Sequence, residues 1–97
     1  SRGLGDVYKR QVEQFSRAIA PEIAPRRINV VSPGVIDTPM FGPESDQRQN
    51  MLQAATAKNL IQRAGTPEEV AKAIIFVVEN AFVTGTTVEV DGGWILS

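Results

Sequence analysis

Ile28-Asn29-Val30-Val31-Ser32-Pro33-Gly34-Val35-Ile36-Asp37-Thr38-Pro39-Met40 is the stretch on which the fold turns. Its opening residues, Ile28 to Val31, are rich in β-branched side chains and bounded by Ser32-Pro33-Gly34, without the polar alternation of a strand that has one wet face. They predict a strand of a parallel sheet covered on both sides. Running such a strand into Pro-Gly opens backbone N–H and C=O groups at its carboxyl end, which is where α/β sheets bind ligands. Gly34 permits a close approach or an unusual φ, and Thr38 adds a hydroxyl that both donates and accepts. The same residues also make a well-formed turn into the next helix, which is the commoner use of Pro-Gly.

On the N-terminal side, Val12, Phe15, Ile19 and Ile23 fall on one stripe of a helix, while Glu13, Gln14, Arg17 and Glu22 lie off it. This predicts an amphipathic helix packed by Val12, Phe15, Ile19 and Ile23 against a larger body. Pro21 conflicts with that helix, because it removes a hydrogen bond and clashes with the preceding turn, so a kink is expected there. Pro25 closes the helix, and Arg26 and Arg27 suit its negative C-terminal end. On the other side, residues 44–64 are polar with Met51, Leu52, Ala55, Leu60 and Ile61 interspersed, which predicts a helical hairpin or one long, weakly amphipathic helix. The next start is sharper. Thr66 as N-cap, Pro67 at the first helical position and Glu69 at the third form a capping box, followed by Val70, Ile74, Val77 and Val78 as the buried face. Thr86-Thr87-Val88-Glu89-Val90 predicts a second strand ending at the turn Asp91-Gly92-Gly93.

The resulting order is helix, strand, helix, helix, strand. Parallel strands joined by a helical crossover are the unit of doubly wound sheets. Two strands alone leave edges that compact proteins pair or cover, so the pattern predicts the last part of a longer α/β domain.

Composition narrows the chemistry. The 97 residues carry a formal net charge of −1, with 42% hydrophobic and 22% charged residues and neither Cys nor His. That length allows one small domain. Without Cys there is no disulfide framework, thiolate zinc site or cysteine nucleophile, and without His the common imidazole ligand and general base are missing as well, so no metal site is expected. Lys and Arg scattered among Asp and Glu give no basic face for nucleic acid or anionic lipid. No apolar run approaches the roughly 20 residues that span a bilayer, and no N-terminal signal pattern is present. A soluble, cytoplasmic protein is the expectation.

The central segment resembles the sixth strand and following loop of the classical short-chain dehydrogenase/reductase family, in the form N-x-V-S-P-G-x-I-x-T-P. Gly65-Thr66-Pro67-Glu68-Glu69-Val70-Ala71 is similar to that family's G-x-P-E-E-V-A helix start. The run from Phe82 to Gly93 resembles its final F-x-T-G-x-x-x-x-V-D-G-G strand and turn, and Val12 to Pro25 the helix before the sixth strand. The resemblance spans about Val12 to Gly93, with three motifs in family order; Glu79-Asn80-Ala81 is a shorter connection than many members have.

The resemblance implies the C-terminal fragment of a doubly wound Rossmann-type parallel sheet, with two strands and three or so helices. It implies that Pro33 and Gly34 shape the nicotinamide side of a cofactor pocket, that the Ile36 backbone meets the carboxamide, and that the Thr38 hydroxyl contacts the carboxamide or pyrophosphate. Residues 41–63 would form a mobile lid over substrate, and Asp91, Gly92 and Gly93 would be turn and packing elements. The cofactor would be NAD or NADP, the substrate a small carbonyl or alcohol, and the assembly a homo-oligomer.

Catalysis in the family rests on a Ser and a Tyr-x-x-x-Lys pair, and dinucleotide binding on an N-terminal Gly-rich turn. Here Tyr8 is followed by Val12 at the lysine position, and where Lys9 falls in the family register Gly5 stands in place of the tyrosine. No catalytic residue is therefore assigned. Gly3-Leu4-Gly5 mimics the tail of the Gly-rich turn, yet no strand precedes it. Residues 1–11 are expected to be a non-native run, such as a translated sequencing adaptor, ahead of residues 12–97 as the C-terminal part of an NAD(P)-binding domain. The expected function is a fragment of an NAD(P)-dependent oxidoreductase, inactive as an isolated chain. The alternative is a small non-catalytic oligomerisation or interaction module derived from the same fold.

Overall fold

The computed structural model describes residues 2–96. The first helix, α1 (Arg2–Ile23), is followed by strand β1 (Val30–Pro33), a 3-10 turn at Pro39–Phe41 and helix α2 (Asp46–Thr56). Helix α3 (Pro67–Glu79), strand β2 (Thr87–Val90) and a second 3-10 turn at Trp94–Leu96 complete the chain. The strands pair in parallel, with Val30 opposite Thr87 and Pro33 opposite Val90. This is the expected doubly wound, Rossmann-type arrangement of two parallel strands with helices.

Several details depart from the sequence expectations. Helix α1 begins at Arg2 and not near Val12, so residues 2–11 continue the same helix. It ends two residues past Pro21, which places the proline in its last turn. Strand β1 sits two residues further along than the β-branched run, ending on Pro33 itself. The segment 44–64 contains one 11-residue helix, α2, whose N-cap Ser45 accepts a hydrogen bond from the Arg48 backbone N–H. A loop follows because Lys58-Asn59-Leu60-Ile61 turns back to β2, where the Ile61 amide donates to the Gly92 carbonyl at 2.9 Å.

The buried stripes are also corrected. Val12 and Phe15 are 53% and 62% exposed, whereas Ser16 on the same helix is buried. On α3, Val77 is buried but Ile74 and Val78 are exposed. Among the described residues the buried apolar side chains are Leu52 and Val77 alone, with Thr56 beside Leu52 donating its hydroxyl to the Leu52 carbonyl at 2.9 Å. The periodicity marks the helices correctly, and Ile19, Ile23 and Val70 are half-buried on the expected faces, but the stripes are covered only in part, leaving Val12, Phe15, Ile74 and Val78 exposed. The Cα radius of gyration, 15.4 Å, exceeds the value of about 13 Å typical of a compact chain of about 100 residues. No described helix is long and apolar enough to cross a membrane.

Arg27 illustrates how the elements are locked. It was expected to serve the C-terminus of α1, but its guanidinium instead donates to the Val77 and Val78 carbonyls at 2.6 and 2.8 Å and to the Val83 carbonyl at 3.0 Å. It thus caps α3 from the far side of the chain, where unpaired carbonyls carry partial negative charge. Asn29 adds a second splice, donating to the Val83 carbonyl and accepting from the Thr86 amide.

Candidate functional site

Pro33 closes β1, and the ladder extends one step further through the Gly34 amide, which donates to the Val90 carbonyl at 2.9 Å. A Cβ on Gly34 would lie 2.9 Å from both Cα and Cβ of Asp91. Gly34 is therefore required by the close approach of the β2 end, and its φ lies outside the left-handed range. Asp91 is buried and makes the turn that follows: its carboxylate accepts from the Gly93 and Ile95 amides at 2.9 and 3.2 Å, while Gly92 and Gly93 take φ of 63° and 81°. Positive φ at both positions explains the glycine pair.

Beyond Gly34 the backbone meets a second partner. The Gly65 amide donates to the Val35 carbonyl at 2.9 Å and the Asp37 amide to the Gly65 carbonyl at 2.8 Å, an isolated parallel bridge centred on Ile36. In such a bridge the central residue turns its own N–H and C=O to the opposite side, so those of Ile36 face away from Gly65. Thr38 follows in extended conformation as N-cap of the 3-10 turn, and its side chain makes no cap bond to that turn.

All four expected cofactor residues, Pro33, Gly34, Ile36 and Thr38, line one cleft of about 560 Å³, together with Met40, Phe41, Pro67 and Val70. A second cleft, about 340 Å³, lies across Pro33 and Gly34, with Lys9, Asn59, Asp91 and Trp94 on its walls. Both volumes fall in the range of small-molecule sites, about 300–1,000 Å³. The two clefts share Pro33, Gly34 and Val35, so that segment is the ridge of the site.

Two ion pairs flank the ridge. The Lys9 ammonium meets a Glu89 carboxylate oxygen at 2.6 Å, which joins α1 to β2. The Arg63 guanidinium donates to both carboxylate oxygens of Glu69 at 2.9 Å. Those bonds, followed by the one from the Thr66 backbone, hold the Glu69 carboxyl well below the usual carboxylate range, at about 2. The Thr66 hydroxyl in turn accepts from the Glu69 amide at 3.1 Å, so the expected capping box is fully formed. It fixes the start of α3 beside the Ile36–Gly65 bridge.

Sequence reasoning missed three participants. Arg48 is buried and reaches Asp37, Glu44 and the Thr38 carbonyl. Asn59 is buried against Gly92, and Glu89 faces Lys9. Only the i, i+4 spacing of Glu44 and Arg48 was available as a signal, and that spacing is common on solvated helix faces.

A family model described as enoyl-(acyl carrier protein) reductase matches residues 4–95. The short-chain dehydrogenase/reductase ATR9 of Stachybotrys chlorohalonatus is 44% identical over 85 residues, covering 88% of this chain and 34% of its own length. A solved C-terminal deletion mutant of aldohexose dehydrogenase from Thermoplasma acidophilum aligns with a TM-score of 0.81 at 30% identity, covering 100% of this chain and 47% of that one. A small-chain dehydrogenase solved in complex with NADPH aligns with a TM-score of 0.75 at 33% identity, covering 89% of this chain and 40% of that one. The chain spans about a third of the length of the curated relatives it matches.

Proposed function

This chain belongs to the short-chain dehydrogenase/reductase family, and on that footing we propose that it is the C-terminal part of an NAD(P)-dependent oxidoreductase acting on a small carbonyl or alcohol substrate. The observation that carries the reading is the convergence of Pro33, Gly34, Ile36 and Thr38 on one cleft at the carboxyl end of β1. A nicotinamide held there by these residues would supply or accept the hydride.

The residues present fit such a group. The Ile36 N–H and C=O, turned away from Gly65, form a donor and acceptor pair suited to an amide. Pro33 offers a flat apolar surface with no N–H of its own. The Thr38 hydroxyl, not engaged in capping, is positioned to hydrogen-bond a carboxamide or a phosphate oxygen. Met40, Phe41 and Val70 add apolar surface to the cleft beside the place proposed for the nicotinamide.

Proton transfer is assigned to residues outside this chain, since Gly5 occupies the tyrosine register of Lys9. Residues 12–97 are proposed as the family portion and residues 1–11 as a non-native run, although both the helix and the family match extend into them. The parent enzyme is proposed to be cytoplasmic and a homo-oligomer, and the exposed Val12, Phe15, Ile74 and Val78 on α1 and α3 support the oligomer.

The test is recovery of the sequence upstream of Val12. Joined to it, the protein is expected to oxidise NADH or NADPH in the presence of a carbonyl substrate, followed by absorbance, while the 97-residue chain alone does not. Turnover by the isolated chain, or an upstream sequence without Tyr-x-x-x-Lys and a Gly-rich turn, overturns the proposal. Val12 and Phe15, both exposed on one stripe, favour a second reading, a non-catalytic interaction module. A discrete, soluble oligomer of the isolated chain supports that module.

A further inference from the structure

The Arg48 side chain is only 9% exposed, yet it belongs to a short helix with few buried neighbours, Leu52 and Thr56 being its other buried residues. Its guanidinium fork divides between two segments. One terminal nitrogen, Nη2, bonds the Asp37 carboxylate and donates to the Thr38 carbonyl at 3.1 Å, while Nη1 reaches Glu44 at 3.3 Å. Asp37 is itself fixed by its amide to Gly65, and the Thr38 carbonyl also accepts from the Phe41 amide at 3.1 Å. A continuous chain of bonds therefore runs from the start of α3, through the loop after β1, into α2.

We infer that Arg48 is a positioning residue that makes α2 and the loop 37–42 one cooperative unit. A buried cation is costly once its partners leave, so α2 cannot lift from the loop without exposing or stranding the charge. The arrangement needs a planar fork, because two nitrogens serve different partners on different sides; a single ammonium cannot hold both. The consequence is that opening of α2 loosens the Thr38 backbone, and anything that fixes Thr38 orders α2. That last step rests on the reading of Thr38 as a cofactor residue; the tie itself does not.

Amide hydrogen exchange on the protein joined to its upstream sequence, without cofactor, tests the tie and separates its failure from failure of the cofactor reading. In Arg48→Met, the amides of α2 and those of Phe41 and Gly42 are expected to exchange at least about tenfold faster, with α3 unchanged. Arg48→Lys is expected to move the same two groups in the same direction. A double variant, Arg48→Met with Asp37→Asn, is expected to add little to Arg48→Met alone, as partners in one interaction do. Unchanged exchange at Phe41 and Gly42, or fully additive effects, overturns the inference. Should Arg48→Met unfold the whole chain, Asp37→Asn with Glu44→Gln decides the matter, because it keeps Arg48 in place: joint loosening of α2 and the loop supports the tie, and loosening of α2 alone overturns it.

Discussion

Gly34 shows how one residue can be legible in sequence and still be read for the wrong partner. The Ser32-Pro33-Gly34 run signalled a need for glycine, and a ligand or an unusual φ were the local reasons on offer. The structure supplies a nonlocal one, the Asp91 backbone, 57 residues away in sequence and 2.9 Å from where a Cβ would stand. Because that neighbour is backbone directly after β2, held next to the Gly34–Val90 hydrogen bond, it cannot rotate aside. Gly34→Ala is therefore expected to destabilise the fold by about 1–3 kcal/mol, the usual cost of forcing atoms into a packed site. Gly65→Ala makes the contrast: its Cβ would meet the Ile36 Cδ1 at the same 2.9 Å, but that atom ends a flexible side chain. Its expected cost is below about 1 kcal/mol, with repacking of Ile36. Denaturant unfolding of both variants, in the protein joined to its upstream sequence, measures the difference; equal losses would show that the strand ends yield as readily as a side chain does.

At the scale of elements, α3 separates what sequence reveals from what it hides. Its N-terminus was readable because Thr66, Pro67 and Glu69 solve a local problem within one turn. Its C-terminus was not, because the capping guanidinium of Arg27 lies 50 or more residues away from the carbonyls it serves. The two ends also answer differently to experiment. Thr66→Ala removes the cap acceptor and is expected to cost about 1 kcal/mol. Arg27→Met leaves the Val77, Val78 and Val83 carbonyls without their charged donor and is expected to cost more, about 2–4 kcal/mol. The N-terminal contribution also depends on pH. The Glu69 carboxyl titrates at about 2 in the folded chain, below its ordinary value of 4.5, so the unfolded state binds the proton more tightly. Its stabilisation is fully present above the ordinary value and fades as pH falls from there through about 2. Circular dichroism on acidification is expected to show less pH dependence over that window in Glu69→Gln than in the unmodified chain; identical acid profiles would remove Glu69 from the account.

For the molecule as a whole, the two-stranded parallel sheet and its helices were legible because β-branched runs and turn residues encode them locally. The partial exposure of the apolar stripes was not, since periodicity marks which residues share a face and says nothing of what lies opposite. Val12 and Phe15 on α1, Ile75 and Phe76 on α3, and the fully exposed Phe82 beyond it remain uncovered. A surface of that kind lowers its free energy by association, at roughly 25 cal/mol per Å² of apolar area removed from water. Unpaired strand edges add a backbone route to the same end. The isolated chain is therefore expected to scatter light as heterogeneous aggregates and to bind a hydrophobic dye. Phe15→Lys with Ile75→Lys places charge at exposed positions of α1 and α3 without touching the buried Leu52 or Val77, and is expected to reduce scattering while leaving the far-ultraviolet circular dichroism unchanged. A single sharp oligomer that this double variant splits into folded monomers would instead mean that these residues form a specific interface and that the chain can assemble by itself, as the module reading requires. Scattering that the charges do not alter would move the cause from the helices to the open edges of β1 and β2.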